Sequence, residues 1–193
     1  SGLAIAGGCC GTTPEYIRVM AERMQGRKRK LAKGAAEADG APMTVCSATR
    51  TVAFDGGVKI IGERINPTGK KQLKEALKSG DFAYVEDEAV RQAQAGAHIL
   101  DINVGLPEID EKAAMIEAVR RVSQVVNLPL QIDSANPDVL EAAVRCCNGK
   151  PIINSVNGKE ESLKAVLPIA KKYGANIIAL TLDEKGLPKD EEE

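Results

Sequence analysis

Six polar residues recur at places where apolar runs of the chain give way to loop. Glu63 and Asn66 lie in Gly62-Glu63-Arg64-Ile65-Asn66-Pro67-Thr68-Gly69, and Asp101 and Asn103 close Asp101-Ile102-Asn103. Asp133 lies in Gln131-Ile132-Asp133-Ser134, and Asn154 opens Asn154-Ser155-Val156-Asn157. Asp and Asn are poor strand residues, so their repetition at such points needs a cause. Carboxylates and amides without a His cluster, a Ser–His pair or a Walker loop point away from hydrolytic or nucleotide chemistry. They suit a neutral heterocycle rich in N–H donors. A pterin has such an edge, an amino group beside a ring N–H, which one carboxylate can accept bidentately while amides serve its mixed positions. Burying those donors unpaired costs about 1–3 kcal/mol each, so a site that answers them discriminates strongly.

A blander account makes these residues helix N-caps. It serves for Ser134, Asn136 and Asp183. It is weaker for Asp101 and Asn103, which sit two apart and so share one face of a strand, and for Asp133 and Asn154, which precede the natural cap positions.

The five cysteines are Cys9, Cys10, Cys46, Cys146 and Cys147. Adjacent cysteines rarely bond to each other, and an odd count without a visible export signal reads as reduced thiols, bound to metal or buried. Cys146-Cys147 ends a helical pattern and reads as core. His98, the one histidine, falls at the start of a strand and reads as a packing residue.

The elements that must position these groups follow a rhythm from Val58 onward. Apolar strands are expected at 58–64, 97–104, 128–133, 151–156 and 175–182. Helical spacing fills 84–95, 111–126, 137–147 and 160–173, with Gly96, Gly149 and Gly174 where C-caps belong. Strands alternating with helices imply an α/β fold around a parallel sheet. Five strands could make an open doubly wound sheet, whereas a closed barrel needs eight and about 250 residues. Polar groups gathered at successive strand ends favour the barrel, where those ends converge on one mouth. The fold class expected is therefore α/β, of (β/α)8 TIM-barrel type, incomplete, with about five βα units.

Ahead of this lies a separate piece. Leu3-Ala4-Ile5-Ala6 reads as a strand, Gly7-Gly8-Cys9-Cys10-Gly11 as a turn, and Thr13-Pro14-Glu15 as a helix start. The run Arg27-Lys28-Arg29-Lys30, with no aromatic company, reads as the beginning of a solvated linker over 27–57.

Composition sets outer limits. The 193 residues carry a formal net charge of −1, with 44% hydrophobic and 27% charged, which argues against a nucleic-acid partner. No apolar run approaches the roughly 20 residues of a membrane span, and Leu3–Ala6 is too short for a signal h-region. A cytoplasmic protein is expected.

The four strand-end motifs, in this order, resemble the pterin-binding domain family, which includes folate-dependent corrinoid methyltransferases and dihydropteroate synthase. The Gly-Glu-Arg-x-Asn form at 62–66 is similar to the methyltransferase branch, and the resemblance covers 58 to about 188. Gly7-Gly8-Cys9-Cys10-Gly11-Thr12-Thr13-Pro14 resembles the end of a homocysteine-binding barrel whose paired cysteines help hold zinc. The resemblance thus implies three parts: 1–26 as the end of a homocysteine (zinc) domain, 27–57 as linker, and 58–193 as the front of a pterin barrel. It implies that Asp133 and Asn154 hold the pterin ring of 5-methyltetrahydrofolate, with Glu63, Asn66, Asp101 and Asn103 lining the same mouth, and that Cys9 and Cys10 are zinc ligands. The implied activity is methyl transfer from N5 to cob(I)alamin, carried on a cobalamin-binding domain of the same parent, and thence to homocysteine. The residues that assist N5 as leaving group are expected on later strands outside this sequence, so the chain reads as a fragment with little turnover of its own.

Corrinoid iron–sulfur protein methyltransferase and dihydropteroate synthase are the nearest alternatives, and neither would carry the paired-cysteine tail. A non-catalytic binding fragment is another. A flavodoxin-like sheet would want a glycine-rich phosphate loop after its first strand, which Asn66-Pro67-Thr68-Gly69 does not supply.

Overall fold

The computed structural model describes residues 11–26 and 42–187, which fall into two compact units divided between Ala41 and Pro42. In the first, α1 (Pro14–Met24) starts where the Thr-Pro-Glu signal places it. Thr13 is extended and its carbonyl accepts from Tyr16 N at 3.1 Å, but its side chain makes no capping bond. Arg18 links Glu15 and Glu22 along one exposed face. The strand expected at Leu3–Ala6 and the Cys9-Cys10 turn lie outside the described residues.

The second unit is built on five parallel strands: β3 (Ile61–Ile65), β4 (Ile99–Ile102), β5 (Leu130–Asp133), β6 (Ile152–Asn157) and β7 (Asn176–Leu180). Their order in the sheet is their order in the chain. A doubly wound sheet reverses direction at a switch point, whereas a barrel wall winds one way. The sequence order therefore decides for the barrel type, here an unclosed arc of it. Between the strands run α2 (Lys71–Ser79), α3 (Ala83–Gln94), α4 (Glu111–Val125), α5 (Pro137–Cys146) and α6 (Glu160–Tyr173), and α3 to α6 pack against one another in chain order.

Strand side chains alternate between two faces, and the two faces differ in chemistry. Leu100, Ile102, Leu130, Ile132 and Ile153 join Val85, Met115, Val119, Val122, Leu140 and Val166 of the helices in the main core. Fully burying each such aliphatic side chain contributes roughly 1.5–3 kcal/mol. The alternate positions, Ile99 and Asp101 on β4 with Asn103 just beyond its end, Gln131 and Asp133 on β5, Ile152 and Asn154 on β6, face the inside of the arc.

Residues 43–54, expected within a linker, instead form a hairpin of β1 (Met43–Cys46) and β2 (Thr51–Phe54), with Val45 opposite Val52. Both valines are buried with Ile99 and Ile152, at the first residues of β4 and β6. The hairpin thus covers the inner face at the amino-terminal end of the strands and forms a floor. Asn176 Nδ2 donates to Thr44 O at 2.9 Å, and Cys46 exchanges backbone bonds with Lys150. Gly149 makes that approach possible: a Cβ there would lie 2.2 Å from Cys46 O, and its φ is +137°. Each hairpin strand has a single buried side chain, too little alternation to be read from sequence, and that burial comes from contacts far along the chain.

Smaller differences are local. The first barrel strand begins at Ile61 rather than Val58, which is 89% exposed. α2, absent from the sequence reading, buries Leu73, Ala76 and Leu77. His98 accepts a hydrogen bond from Ile60 N at 3.0 Å through Nδ1 while its own backbone N–H donates to Ile60 O, so it ties down the entry to β3. Cys146 and Cys147 pack against the main core, and burial, with the neighbouring Cys146 thiol, pushes the Cys147 thiol up to about 12.

Candidate functional site

Above the hairpin floor the inner face becomes polar in two steps. Asp101 and Gln131 come first, opposite each other in the parallel register of β4 and β5. Asn103, Asp133 and Asn154 follow at the carboxyl ends, with Asp133 level with Asn154 across β5 and β6. A one-residue shift of any strand would turn these groups outward into the helix layer, so the apolar alternation that fixes the core also aims the polar set.

The groups are hydrogen-bonded to one another. Gln131 Nε2 donates to Asp101 Oδ1 at 2.6 Å, and Asn154 Nδ2 donates to the same oxygen at 3.3 Å. Asn103 Nδ2 donates to Asp133 Oδ2 at 2.9 Å, while Asn103 Oδ1 accepts from Gly105 N at 2.9 Å. The last bond tethers the loop after β4 and fixes which half of the Asn103 amide faces Asp133. On the β3 side, Asn66 Nδ2 donates to Glu63 Oε1 and Asn66 Oδ1 accepts from Thr68 N, both at 2.9 Å. Glu63, Arg64, Asn66, Thr68 and Lys70 line an open recess of about 590 Å³ there.

Asp101 is wholly buried, and its Oδ2 has no partner among the described residues; nor has Gln131 Oε1. Burial raises the Asp101 carboxyl to about 6. The Gln131 hydrogen bond opposes that rise, the Asp133 charge adds to it, the Asn154 hydrogen bond opposes it, and the Glu63 charge adds a little more. Asp133 and Asn154 are only half-buried. Among the described residues nothing hydrogen-bonds to the second Asp133 oxygen or to the Asn154 side-chain oxygen. Two acceptors from adjacent strands are therefore held level and free at the mouth, an arrangement that matches a ligand edge carrying paired N–H donors.

The structure brings together five of the sequence-selected residues by these bonds or by charge: Glu63, Asp101, Asn103, Asp133 and Asn154. Asn66 joins them through Glu63. Cys9 and Cys10 lie outside the described residues, and among the described residues no group of three or more His, Cys, Asp or Glu could hold a metal ion. Gln131 was missed as a site residue, although it lies two positions before Asp133 and so shares its face. The cap reading holds for Asn136, whose Oδ1 accepts from Asp138 N at the start of α5. Ser134 has a different part, accepting from Asn136 N and donating to Glu111 at 2.5 Å, and Asp183 accepts from Lys185 N within a turn.

The family model for pterin binding enzymes matches residues 62–193. The chain belongs to this family. Within this pterin-binding family it is similar to the methionine synthase of Mycobacterium tuberculosis (strain ATCC 25618 / H37Rv), 35% identical over 96% of this chain and 16% of the relative. The methionine synthase of Mycobacterium leprae (strain TN) is 34% identical over the same shares. The chain thus spans about 16% of the length of the curated relatives it matches. Among solved structures it is similar to dihydropteroate synthase of Xanthomonas albilineans, with 23% identity, 72% of this chain and 49% of that chain covered, and a TM-score of 0.47. For dihydropteroate synthase of Thermus thermophilus the identity is 20%, with 69% of this chain and 46% of that chain covered and a TM-score of 0.46. No helix among the described residues is long and apolar enough to cross a membrane.

Proposed function

We propose that this chain is the methyltetrahydrofolate-binding part of a cobalamin-dependent methionine synthase of the cytoplasm. Residues 58–193 are then the front of the pterin barrel, 1–26 the end of a homocysteine-binding domain, and the stretch between joins them. The observation that carries the reading is the level pair of unengaged acceptors, Asp133 and Asn154, in a chain whose relatives include the mycobacterial methionine synthases.

The pterin amino group and adjacent ring N–H donate to the two oxygens of Asp133, one of which also accepts from Asn103 Nδ2. Asn154 accepts a further ring N–H. Glu63 and Asn66 border the open recess on the β3 side of the mouth. Orientation is the main contribution of these residues, because a fixed ring sets N5 and its methyl in line for transfer. Breaking that bond requires a donor aimed at the charge developing on N5, and later strands of the parent barrel provide it. The nucleophile that accepts the methyl would come from cobalamin held on another domain of the parent protein. Zinc would be held by Cys9 and Cys10 with further ligands and would keep the homocysteine thiol nucleophilic at neutral pH.

Calorimetric titration of 5-methyltetrahydrofolate into the full chain and its Asp133→Ala variant tests this reading. Loss of the bidentate contact should weaken binding at least about tenfold, since a charge-assisted hydrogen bond contributes roughly 1.5–3 kcal/mol. Binding that survives the substitution unchanged would overturn the site. Methyl transfer to free cobalamin by the chain alone should stay close to background.

A further inference from the structure

The buried middle layer of the arc has no direct access to a ligand, yet it touches a group that does. Asn154 is at the mouth, and its Nδ2 points back to Asp101 Oδ1 at 3.3 Å across the intervening strand β5. A carboxylate can only accept, so an ionised Asp101 requires the nitrogen half of the amide and leaves the oxygen half for the mouth. A protonated Asp101 loses that requirement, because its O–H can donate to an amide oxygen instead. The orphaned Asp101 Oδ2 shows how weakly the second half of the charge is supported. Asp133 on β5 and Glu63 on β3 face the same carboxyl with like charge, and β6 offers only the neutral Asn154.

We propose that Asp101 is a positioning residue, whose ionised carboxylate locks the Asn154 amide with its oxygen turned to the mouth and so selects a ligand that presents an N–H there. The proposal rests on the pterin reading for the identity of that ligand, though the lock itself exists without one. Gln131 has a part in it, since its 2.6 Å hydrogen bond to the same oxygen favours the ionised form and keeps the lock closed. With the carboxyl titrating at about 6, the lock is closed at neutral pH and opens in mild acid.

The test has one arm without ligand and one with it. In the ligand-free chain, the side-chain amide NMR signal of Asn154 is followed from pH 5 to 8. It should titrate with a midpoint near 6, stay flat in Asp101→Asn, and show a raised midpoint in Gln131→Met, which removes a hydrogen bond that favours ionisation. An Asn154 signal that does not respond to pH in the parent chain, or responds equally in Asp101→Asn, overturns the lock. In the second arm, 5-methyltetrahydrofolate affinity should fall about tenfold as pH drops through the midpoint, the effect of one lost hydrogen bond. Asp101→Asn should bind more weakly at neutral pH and lose that step. A pH step retained in Asp101→Asn overturns the proposal even where binding is tight. A titrating Asn154 amide in a chain that binds no folate at any pH supports the lock and removes the pterin reading instead. Gln131→Met leaves Asp101 in place, so a shifted midpoint there stands even if Asp101→Asn fails to fold.

Discussion

Asp101 and Asn154 sit on strands that are not neighbours, β4 and β6, yet their side chains meet over Gln131 on the strand between, and the Gln131 and Asn154 amides converge on one oxygen of the Asp101 carboxylate. The register makes this possible: Asp101 is level with Gln131, and Asn154 is one inward position nearer the mouth. A buried acid is thereby placed directly beneath the polar rim, with apolar Ile99 below it and Ile152 level with it beyond Gln131.

That placement has a consequence for stability. The Asp101 carboxyl is raised to about 6 from 3.8, so between those values the folded chain binds a proton that the unfolded chain has released. Stability therefore falls as pH rises through this window, by up to about 3 kcal/mol once the group is fully ionised. Asp101→Asn removes the titration. Its melting temperature should match that of the parent chain more nearly at pH 4 and exceed it by several degrees at pH 8. A difference between the two proteins that does not change with pH would show that Asp101 is ionised at no special cost.

The hairpin is expected to be part of the folding unit, and not a dispensable tether. Val45 is wholly buried between its own partner Val52 and the barrel residues Ile99 and Ile152. Val45→Ala should lower the unfolding free energy by about 1–3 kcal/mol through lost transfer energy and the cavity left behind. A urea titration reads this as a lower midpoint with an unchanged slope. Should the midpoint stay put, the floor would be shown to contribute nothing to stability.

How much of this was legible in the sequence depends on the range of the interactions. The five strands and the helices α3 to α6 announced themselves because their periodicity is local, and the ends moved by three residues or fewer. Asp101, Asn103, Asp133 and Asn154 could be singled out because poor strand formers stood at strand ends on one face. Gln131 escaped notice because a glutamine in an apolar run looks incidental until β5 is laid beside β4 in register. The β1–β2 hairpin escaped because Val45 and Val52 are buried by residues far along the chain, such as Ile99 and Ile152. No local pattern could report that.

Gly149 offers the sharpest local prediction. It sits between α5 and β6, where the chain must pass against the hairpin, and a Cβ would meet Cys46 O at 2.2 Å, Cys46 C at 2.8 Å and Ser47 O at 2.8 Å. All three are backbone atoms, so no side chain can swing aside to relieve the clash. Its φ of +137° is also one that L side chains rarely adopt. Gly149→Ala should therefore force the hairpin away from Lys150, break the paired Cys46–Lys150 backbone bonds, and lower stability by more than the roughly 1 kcal/mol of a simple left-handed penalty. Gly69→Ala is the control, since its φ is +72° with nothing within 4 Å of the added carbon. Denaturant midpoints of the two variants should differ clearly, with Gly149→Ala the lower, and amide exchange should accelerate at Cys46 and Lys150 in that variant alone. Equal midpoints would mean that the hairpin can shift without cost, and that its contact with the start of β6 is not what holds the floor in place.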